Sequence, residues 1–207
     1  MTRGKFITLE GVDGAGKSSH VGFLRDAAAA FGKEVVVTRE PGGTPLAETI
    51  REIVLHRPMH PDTEALMVFA ARREHVVAVI EPALARGAWV LCDRFTDSTY
   101  AYQCGGRGLD AARIAVLEQW VHGDLQPDLT LLFDVSPAVA RERLDRQTAP
   151  PDKFERERDA FFGRVREAYL VRAVQHRERF RVIDSSQTLD AIRANLREYL
   201  DDLLART

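Results

Sequence analysis

The chain has 207 residues, of which 45% are hydrophobic and 29% are charged, with a formal net charge of −2 at pH 7. Such a chain is long enough for one α/β domain with a sizeable core, and its charge argues against DNA or RNA as a partner. No run approaches 18 apolar residues, and the first residues show no apolar signal region. We therefore expect a cytoplasmic protein without membrane contact.

Five short apolar runs predict β-strands, and helix-like stretches separate them. The runs cover residues 6–9, 34–38, 88–92, 129–134 and 180–183. Such alternation is typical of a parallel sheet with helices on both of its faces. The sequence shows no internal repeat and no low-complexity linker, so we expect a single α/β domain over residues 1–207.

Helix starts are marked by polar residues, several of them followed by proline. They are Thr44-Pro45, Asp110, Ser136-Pro137 and Thr188. Helical spacing also predicts a helix over 19–31 and a long helix over 62–86. The expected buried residues of the long helix are Leu66, Phe69, Ala70, Val76, Val77 and Ile80. Residues 147–152 contain two prolines and predict an exposed loop between two helices.

The strongest motif is a phosphate loop of the form G-x-x-x-x-G-K-[ST], directly after the first predicted strand. Its residues are Gly11, Val12, Asp13, Gly14, Ala15, Gly16, Lys17 and Ser18. Glycines let backbone N–H groups turn inward onto phosphate oxygens, and the following helix adds its N-terminal dipole. Lys17 supplies a positive charge, and the Ser18 hydroxyl is a candidate ligand of Mg²⁺.

Charged residues follow two further predicted strands. Asp93 ends the third strand and is a candidate Mg²⁺ partner, although a turn or capping role is the alternative. Arg94 comes next, and Arg39 ends the second strand before Pro41-Gly42-Gly43, which by itself reads as a plain connection. The carboxyl ends of parallel strands border the ligand crevice, so two arginines there favour an anionic phosphoryl acceptor.

Taken together, the chain resembles bacterial-type thymidylate kinases, which are P-loop nucleoside monophosphate kinases. The resemblance covers essentially the whole length and rests on residues 10–18, 38–44, 69–73, 93–95 and 102–108. It implies a three-layer fold with a five-stranded parallel sheet and a short lid near residues 141–158. It also implies phosphorylation of dTMP by ATP with Mg²⁺, for dTTP synthesis. Homodimerisation comes from the resemblance alone, with residues 69–80 as a possible contact face.

The resemblance assigns roles residue by residue. Phe69 matches the aromatic residue that stacks on thymine and Arg73 the arginine that binds its O4 atom, although periodicity alone favours core packing and a solvated helix face. Asp13 matches the carboxylate near the sugar and Mg²⁺. The remaining expected dTMP ligands are Arg39 and Arg94 at the phosphate, Tyr102 at the sugar, and Ser98, Thr99 and Gln103 at the base edge.

The lid departs from the family pattern. The phosphate loop lacks an arginine, so the resemblance implies arginines in the lid, yet residues 147–151 contain none. The basic residues near the lid are Arg141, Arg143, Arg146, Lys153, Arg156 and Arg158. Arg146 best matches the catalytic position, and Lys17, Asp93 and Arg94 complete the expected catalytic set. Residues 184–187 are expected to border adenine.

Two alternative functions remain open at the level of the sequence. Another P-loop nucleoside monophosphate or deoxynucleoside kinase is the nearest, and the latter requires a carboxylate base, for which Glu10 or Glu40 is available. A nucleotide-dependent regulatory module is the other. The sequence contains no Asn-Lys-x-Asp guanine-reading motif, and such a module leaves the two strand-end arginines unexplained.

Overall fold

The computed structural model describes residues 3–146, 152–157 and 159–205. Within them lies a five-stranded sheet in the order β2-β3-β1-β4-β5, in which every pairing is parallel. The strands are β1 (Phe6–Glu10), β2 (Val35–Arg39), β3 (Trp89–Asp93), β4 (Leu129–Asp134) and β5 (Phe180–Asp184). The predicted fold class is confirmed, and each predicted strand is found within about one residue of its expected ends.

Helices connect the strands. They are α1 (Ser18–Ala29), α2 (Pro45–His56), α3 (Pro61–His75), α4 (Glu81–Ala85), α5 (Thr96–Thr99), α6 (Ala111–Val121), α7 (Pro137–Asp145), α8 (Asp159–Gln175) and α9 (Leu189–Ala205). Two π-helical segments, Val76–Ile80 and Tyr100–Gly106, continue α3 and α5. Thr44, Asp110 and Ser136 cap α2, α6 and α7 through their side-chain oxygens, as predicted.

The two faces of the sheet pack against different helices. Side chains alternate between faces along a strand, so Phe6 lies on one face and Ile7 on the other. Phe6 belongs to a buried cluster with Ile80 and Leu84 from the π-helical segment and α4. Ile7 belongs to a larger cluster that includes residues of α1, α8 and α9. Helices therefore cover both faces, as the sequence predicts.

The segment predicted as one helix over 62–86 differs in detail. It consists of α3, the π-helical segment Val76–Ile80 and α4. Phe69, Val76 and Ile80 are buried as expected, but Ala70 is exposed, and Leu66 and Val77 are 54% and 46% exposed. The buried stripe is narrower than the apolar pattern indicates, which leaves Leu66 and Val77 on an outer apolar face.

Two sequence predictions fall on residues about which the structure gives no description. The exposed loop expected at 147–152 lies outside the described residues except for Asp152, and Arg158 also lies outside them.

Among the described helices, none is both long and apolar enough to cross a membrane.

Candidate active site

The phosphate loop follows the central strand β1 and ends at the start of α1. Gly11 and Gly14 have φ values of +137° and +80°, and a Cβ atom at either would clash with the carbonyl oxygen of Phe133 or Ala140. A side chain at either position is therefore excluded both by the backbone conformation and by the lack of space. The Nζ atom of Lys17 donates to the Gly11 and Val12 carbonyl oxygens at 3.2 and 3.4 Å. Burial and the nearby Arg94 lower the pKa of Lys17.

A cavity lies over this loop. Its lining comprises Asp13, Gly14, Gly16, Lys17, Ser18, Ser19, Asp93, Arg143, Leu144 and Glu155. The Oδ1 atom of Asp93 is buried and has no hydrogen-bond partner among the described residues. A buried carboxylate oxygen without a donor fits a cation, and the Ser18 hydroxyl lines the same cavity. These residues are therefore compatible with Mg²⁺ bound beside a nucleoside triphosphate.

Arg94 lines a second, neighbouring cavity and pairs with Asp13, which lines both cavities. Its Nη2 atom donates to Asp13 Oδ1 at 2.6 Å and to the Tyr102 hydroxyl at 3.0 Å. Its Nη1 atom donates to Gly11 O at 3.0 Å and to the hydroxyls of Ser98 and Tyr169 at 3.2 and 3.1 Å. Its φ of +73° is unusual for a residue with a side chain, and these contacts hold that conformation in place.

Asp13 is shared by the two cavities. Its Oδ2 atom accepts a hydrogen bond from the Tyr102 hydroxyl at 2.8 Å, while Oδ1 pairs with Arg94. Burial opposes the charge of Asp13, but Arg94 and Lys17 outweigh it and hold the pKa of the carboxyl below its usual value. Asp13 therefore presents a negative charge at the boundary between the phosphate loop and the second cavity.

The second cavity encloses about 560 Å³ of empty space when its open mouth is included. It is lined by Asp13, Glu40, Pro41, Arg51, Val54, Leu55, Val68, Arg72, Arg94, Phe95, Ser98, Thr99, Tyr102, Gln103, Asp152 and Phe154. Its lining combines polar side chains, three arginines among them, with apolar side chains. We call it the acceptor cavity.

The predicted acceptor ligands separate into two groups. Asp13, Arg94, Ser98, Thr99, Tyr102 and Gln103 line the acceptor cavity. Phe69 and Arg73 do not. Phe69 is 2% exposed and packs into a cluster with Ala65 and Ile114, and Arg73 donates to Val121 O at 2.9 Å.

The residues one position earlier, Val68 and Arg72, line the cavity instead of Phe69 and Arg73. One residue rotates a side chain by about 100° around a helix, so the predicted pair was placed on the wrong face of α3. The pair that lines the cavity keeps the same spacing of four residues. The sequence motif identifies the helix, but it does not determine to within one residue which side chains face the cavity.

Arg39 also lies elsewhere. Its side chain is 55% exposed, pairs with Glu48 at 2.9 Å, and lines a separate groove beside β2. Arg51 of α2 lines the acceptor cavity, and its Nη1 atom donates to Pro41 O at 3.0 Å. Sequence reasoning missed Arg51 because it lies inside a helix and belongs to no motif. Its position on the inner side of α2, beside Val54 and Leu55, was the available signal.

The lid residues are also distributed differently from the expectation. Arg146 is 73% exposed and pairs with Glu142 one turn earlier. Arg143 lies over the phosphate loop, where its Nη2 atom donates to Ser185 O at 2.7 Å and its Nη1 atom lies 3.4 Å from the Gly14 and Ala15 carbonyl oxygens. The loop after β5, expected to border adenine, thus meets the phosphate loop through Arg143.

The segment 152–157 contributes to both cavities: Asp152 and Phe154 line the acceptor cavity, and Glu155 lines the cavity over the phosphate loop. Phe154 is 7% exposed and packs edge-on against Tyr102, with ring centroids 5.6 Å apart. The Nζ atom of Lys153 pairs with the buried Glu64 of α3 at 2.7 Å. Glu64 also accepts from Gln103 at 2.8 Å. Lys153 therefore anchors the lid to the acceptor side.

Neither of the two carboxylates considered as a base is free. Glu10 is fully buried and accepts from Phe95 N, Ser98 Oγ and Tyr169 Oη at 2.7, 2.6 and 2.8 Å. Burial, with Asp97 nearby, raises the pKa of Glu10 to about 7. Glu40 is engaged on both oxygens by Arg72 and His75. Tyr169 of α8, which links Glu10 to Arg94, was not identified from the sequence because nothing local marks it.

Comparisons with known proteins agree with this architecture. A family model described as Thymidylate kinase matches residues 9–196. A thymidylate kinase of Thiobacillus denitrificans is 60% identical over 200 residues, which cover 97% of this chain and 98% of that protein.

A thymidylate kinase of Cupriavidus pinatubonensis is 60% identical over 207 residues, which cover 97% of this chain and 100% of that protein. The crystal structure of thymidylate kinase from Ehrlichia chaffeensis superposes with a TM-score of 0.78 at 32% identity and covers 96% of this chain and 99% of that one. A phosphate loop beside a cavity rich in arginine, together with similarity over nearly the whole length, shows that the chain belongs to the thymidylate kinase family.

Proposed function

We propose that the protein transfers the γ-phosphoryl group of ATP to the phosphate of dTMP. The observation that carries this proposal is that two cavities meet at Asp13, which pairs with Arg94; one cavity is built on the phosphate loop and the other is lined by arginines. Phosphoryl transfer requires a donor and an acceptor placed in line, and this junction is where they would meet.

In the acceptor cavity, we assign the dTMP phosphate to Arg94 and Arg51, because both guanidinium groups line the cavity and can form bidentate contacts. Arg51 takes the place that the sequence analysis gave to Arg39. We assign the thymine base to Arg72 and Val68 in place of Arg73 and Phe69. Ser98, Thr99 and Gln103 remain assigned to the base edge and Tyr102 to the deoxyribose.

In the donor cavity, the loop amides and Lys17 would hold the ATP phosphates. Arg143 supplies the lid charge that the phosphate loop lacks, in place of Arg146, because it lies against the loop carbonyls. Ser18 and Asp93 would hold Mg²⁺, which supplies charge neutralisation on the transferring phosphoryl group. We expect Asp93→Asn to weaken Mg²⁺ binding in a metal titration.

The acceptor oxygen of a nucleoside monophosphate is already ionised, so this reaction requires no general base. That agrees with the structure, where Glu10 and Glu40 are both fully engaged. The protein's own contribution is to orient the acceptor with Arg94 and Arg51, to neutralise charge with Lys17 and Arg143, and to exclude water with segment 152–157.

The test is ATP consumption with dTMP, dUMP, UMP, dCMP and thymidine as acceptors. We expect dTMP to be the best, dUMP to be weaker by a factor of about 10 to 100, and UMP to be rejected more strongly, since a 2′-hydroxyl has to fit beside Tyr102. Equal turnover of UMP and dTMP would contradict the dTMP assignment. Preferential turnover of thymidine would support a deoxynucleoside kinase instead.

We also propose a homodimer, a cytoplasmic location, and a single functional domain whose lid spans about residues 141–158. Support for the dimer comes from an outer apolar face on α3 and α6, where Leu66, Val116 and Trp120 are 54%, 69% and 79% exposed. Large apolar side chains grouped on one face are typical of an interface between copies.

A further inference from the structure

A chain of buried polar contacts runs from β2 to the acceptor cavity. The Oγ1 atom of Thr38 lies 2.6 Å from His75 Nε2, His75 Nδ1 lies 3.0 Å from Glu40 Oε1, and Arg72 Nε donates to Glu40 Oε2 at 2.6 Å. His75, Glu40 and Arg72 are 0%, 2% and 1% exposed. Polar groups this deeply buried are retained only where their partners are fixed.

The direction of the bonds follows from chemistry. Burial opposes ionisation of Glu40, but Arg72 and His75 outweigh it and hold its pKa below the usual value. An ionised carboxylate only accepts hydrogen bonds, so the proton in the His75–Glu40 contact belongs to Nδ1 of the imidazole. His75 and Arg72 therefore each fix one oxygen of the same carboxylate.

The far end of this chain is a guanidinium group with one free nitrogen. Arg72 Nη2 donates to Thr99 Oγ1 at 3.1 Å, and the rings of Phe69 and Phe95 lie 4.7 and 5.1 Å from its Cζ atom. Nη1 is buried and has no hydrogen-bond partner in the described part of the chain. Arg72 lines the acceptor cavity, so this unpartnered donor belongs to a side chain of the cavity wall.

The turn Pro41-Gly42-Gly43 provides the space for the histidine. A Cβ atom at Gly43 would overlap the His75 ring and Thr38 Oγ1, and Gly43 has a φ of +84°. The turn that the sequence presents as a plain connection is thus closely fitted to His75. Gly43 is therefore required by packing against His75 as well as by its backbone conformation.

We infer that His75 is a positioning residue for base recognition: through Glu40 it fixes Arg72 so that Nη1 donates to the carbonyl oxygen of a pyrimidine base. This inference rests on the proposed function, since it concerns the base end of the acceptor. A fixed donor favours the 4-carbonyl of thymine and disfavours the 4-amino group of cytosine. His75 touches no substrate and acts only through Glu40 and Arg72.

The experiment compares His75→Leu with His75→Asn in steady-state kinetics on dTMP and dCMP. Leucine removes the hydrogen bond to Glu40, and we expect a rise in the KM for dTMP of about tenfold, with kcat within about twofold and the KM for ATP unchanged. The preference for dTMP over dCMP should fall by a similar factor. Asparagine retains an N–H donor near the position of Nδ1 and should recover most of both losses.

The matched control is His122→Leu. His122 is also buried and also bonds a hydroxyl through Nε2, at 2.7 Å from Thr96 Oγ1, but its Nδ1 atom bonds Leu125 O and not Glu40. Its loss should lower thermal stability while leaving the dTMP to dCMP preference as in the wild type. Thr38→Val, which removes only the outer contact, provides a second variant if His75→Leu does not fold.

Different results would contradict the positioning role of His75 and the proposed function. The positioning role is wrong if folded His75→Leu or Thr38→Val retains the wild-type KM and preference, if asparagine is no better than leucine, or if His122→Leu alters the preference equally. Wild-type enzyme that fails to consume ATP with dTMP would overturn the proposed function itself, which separates the two failures.

Discussion

At the residue scale, Arg94 lines the acceptor cavity and pairs with Asp13, the side chain that the two cavities share. Its guanidinium group contacts Asp13, Tyr102, Ser98, Tyr169 and Gly11 with donors at fixed angles. A lysine at this position is a single-point charge and cannot reproduce that fork. We therefore expect Arg94→Lys to lose about 10²- to 10³-fold in kcat/KM for dTMP, measured by coupled assay.

Circular dichroism and thermal unfolding of Arg94→Lys serve as the control for folding. A variant that is folded and has near wild-type turnover would show that a bidentate contact to the acceptor phosphate is unnecessary.

Glu10 carries a prediction about pH. Its folded pKa is about 7, above the ordinary 4.5, so the folded state binds a proton more tightly than the unfolded state between these values. The stability that this group contributes is present below about pH 4.5 and is lost as the pH rises through 7. Glu10→Gln should flatten the dependence of the unfolding free energy on pH between 5 and 7.5.

Urea denaturation at several pH values measures this effect. Asp13, Glu40 and Asp97 have lowered pKa values and act in the opposite sense, but only at more acidic pH. An unchanged slope in Glu10→Gln between pH 5 and 7.5 would mean that Glu10 does not titrate there.

At the scale of elements, the two arginines at the end of α7 make a sharp comparison. Arg143 bonds Ser185 and lies against the phosphate loop, whereas Arg146 pairs with Glu142 in solvent. An exposed pair of this kind contributes about 0.3–0.5 kcal/mol at most. Because Arg143 lies against the phosphate loop, Arg143→Ala should reduce kcat by 10²-fold or more. Because Arg146 lies in solvent, Arg146→Ala should reduce kcat by less than about threefold.

Both variants should bind dTMP as the wild type does, which isothermal titration can check. A larger loss at Arg146 than at Arg143 would restore the assignment made from the sequence.

The elements also show how far sequence reasoning extends. The strands could be predicted closely because parallel strands buried on both faces are nearly continuous apolar runs. The phosphate loop could be predicted because its backbone geometry demands particular residues. The rotation of α3 could not, because Phe69 and Val68 are both apolar and Arg72 and Arg73 are identical in type. Only packing against Glu40 and Thr99 selects Arg72.

Arg51 and Tyr169 illustrate the other limit. Each reaches the site from the middle of a helix distant in sequence from the motifs, and no local pattern distinguishes it from an ordinary helical residue. Their roles arise from the way α2 and α8 cross the carboxyl edge of the sheet, which is a property of tertiary structure.

At the scale of the whole molecule, the apolar face on α3 and α6 predicts self-association. Val116→Glu places a charge on this face and should convert a dimer to a monomer in sedimentation velocity. Val174→Glu on α8 is the matched control, because Val174 is 76% exposed but lies on another helix. It should leave the dimer intact. A wild-type monomer at micromolar concentration, or dissociation by both substitutions, would contradict the interface.

Asp13 lines both the donor and the acceptor cavity, so the two sites share a wall. With dTMP in the acceptor cavity and ATP in the donor cavity, as proposed, we expect a single molecule that carries a thymidine unit and an adenosine unit on one phosphate bridge to occupy both. Binding of the first half makes attachment of the second intramolecular, at an effective concentration in the millimolar range for a short linker. The affinity of the bridged molecule should depend steeply on the number of bridging phosphates. The bridge length that binds best therefore measures the distance between the two nucleoside sites.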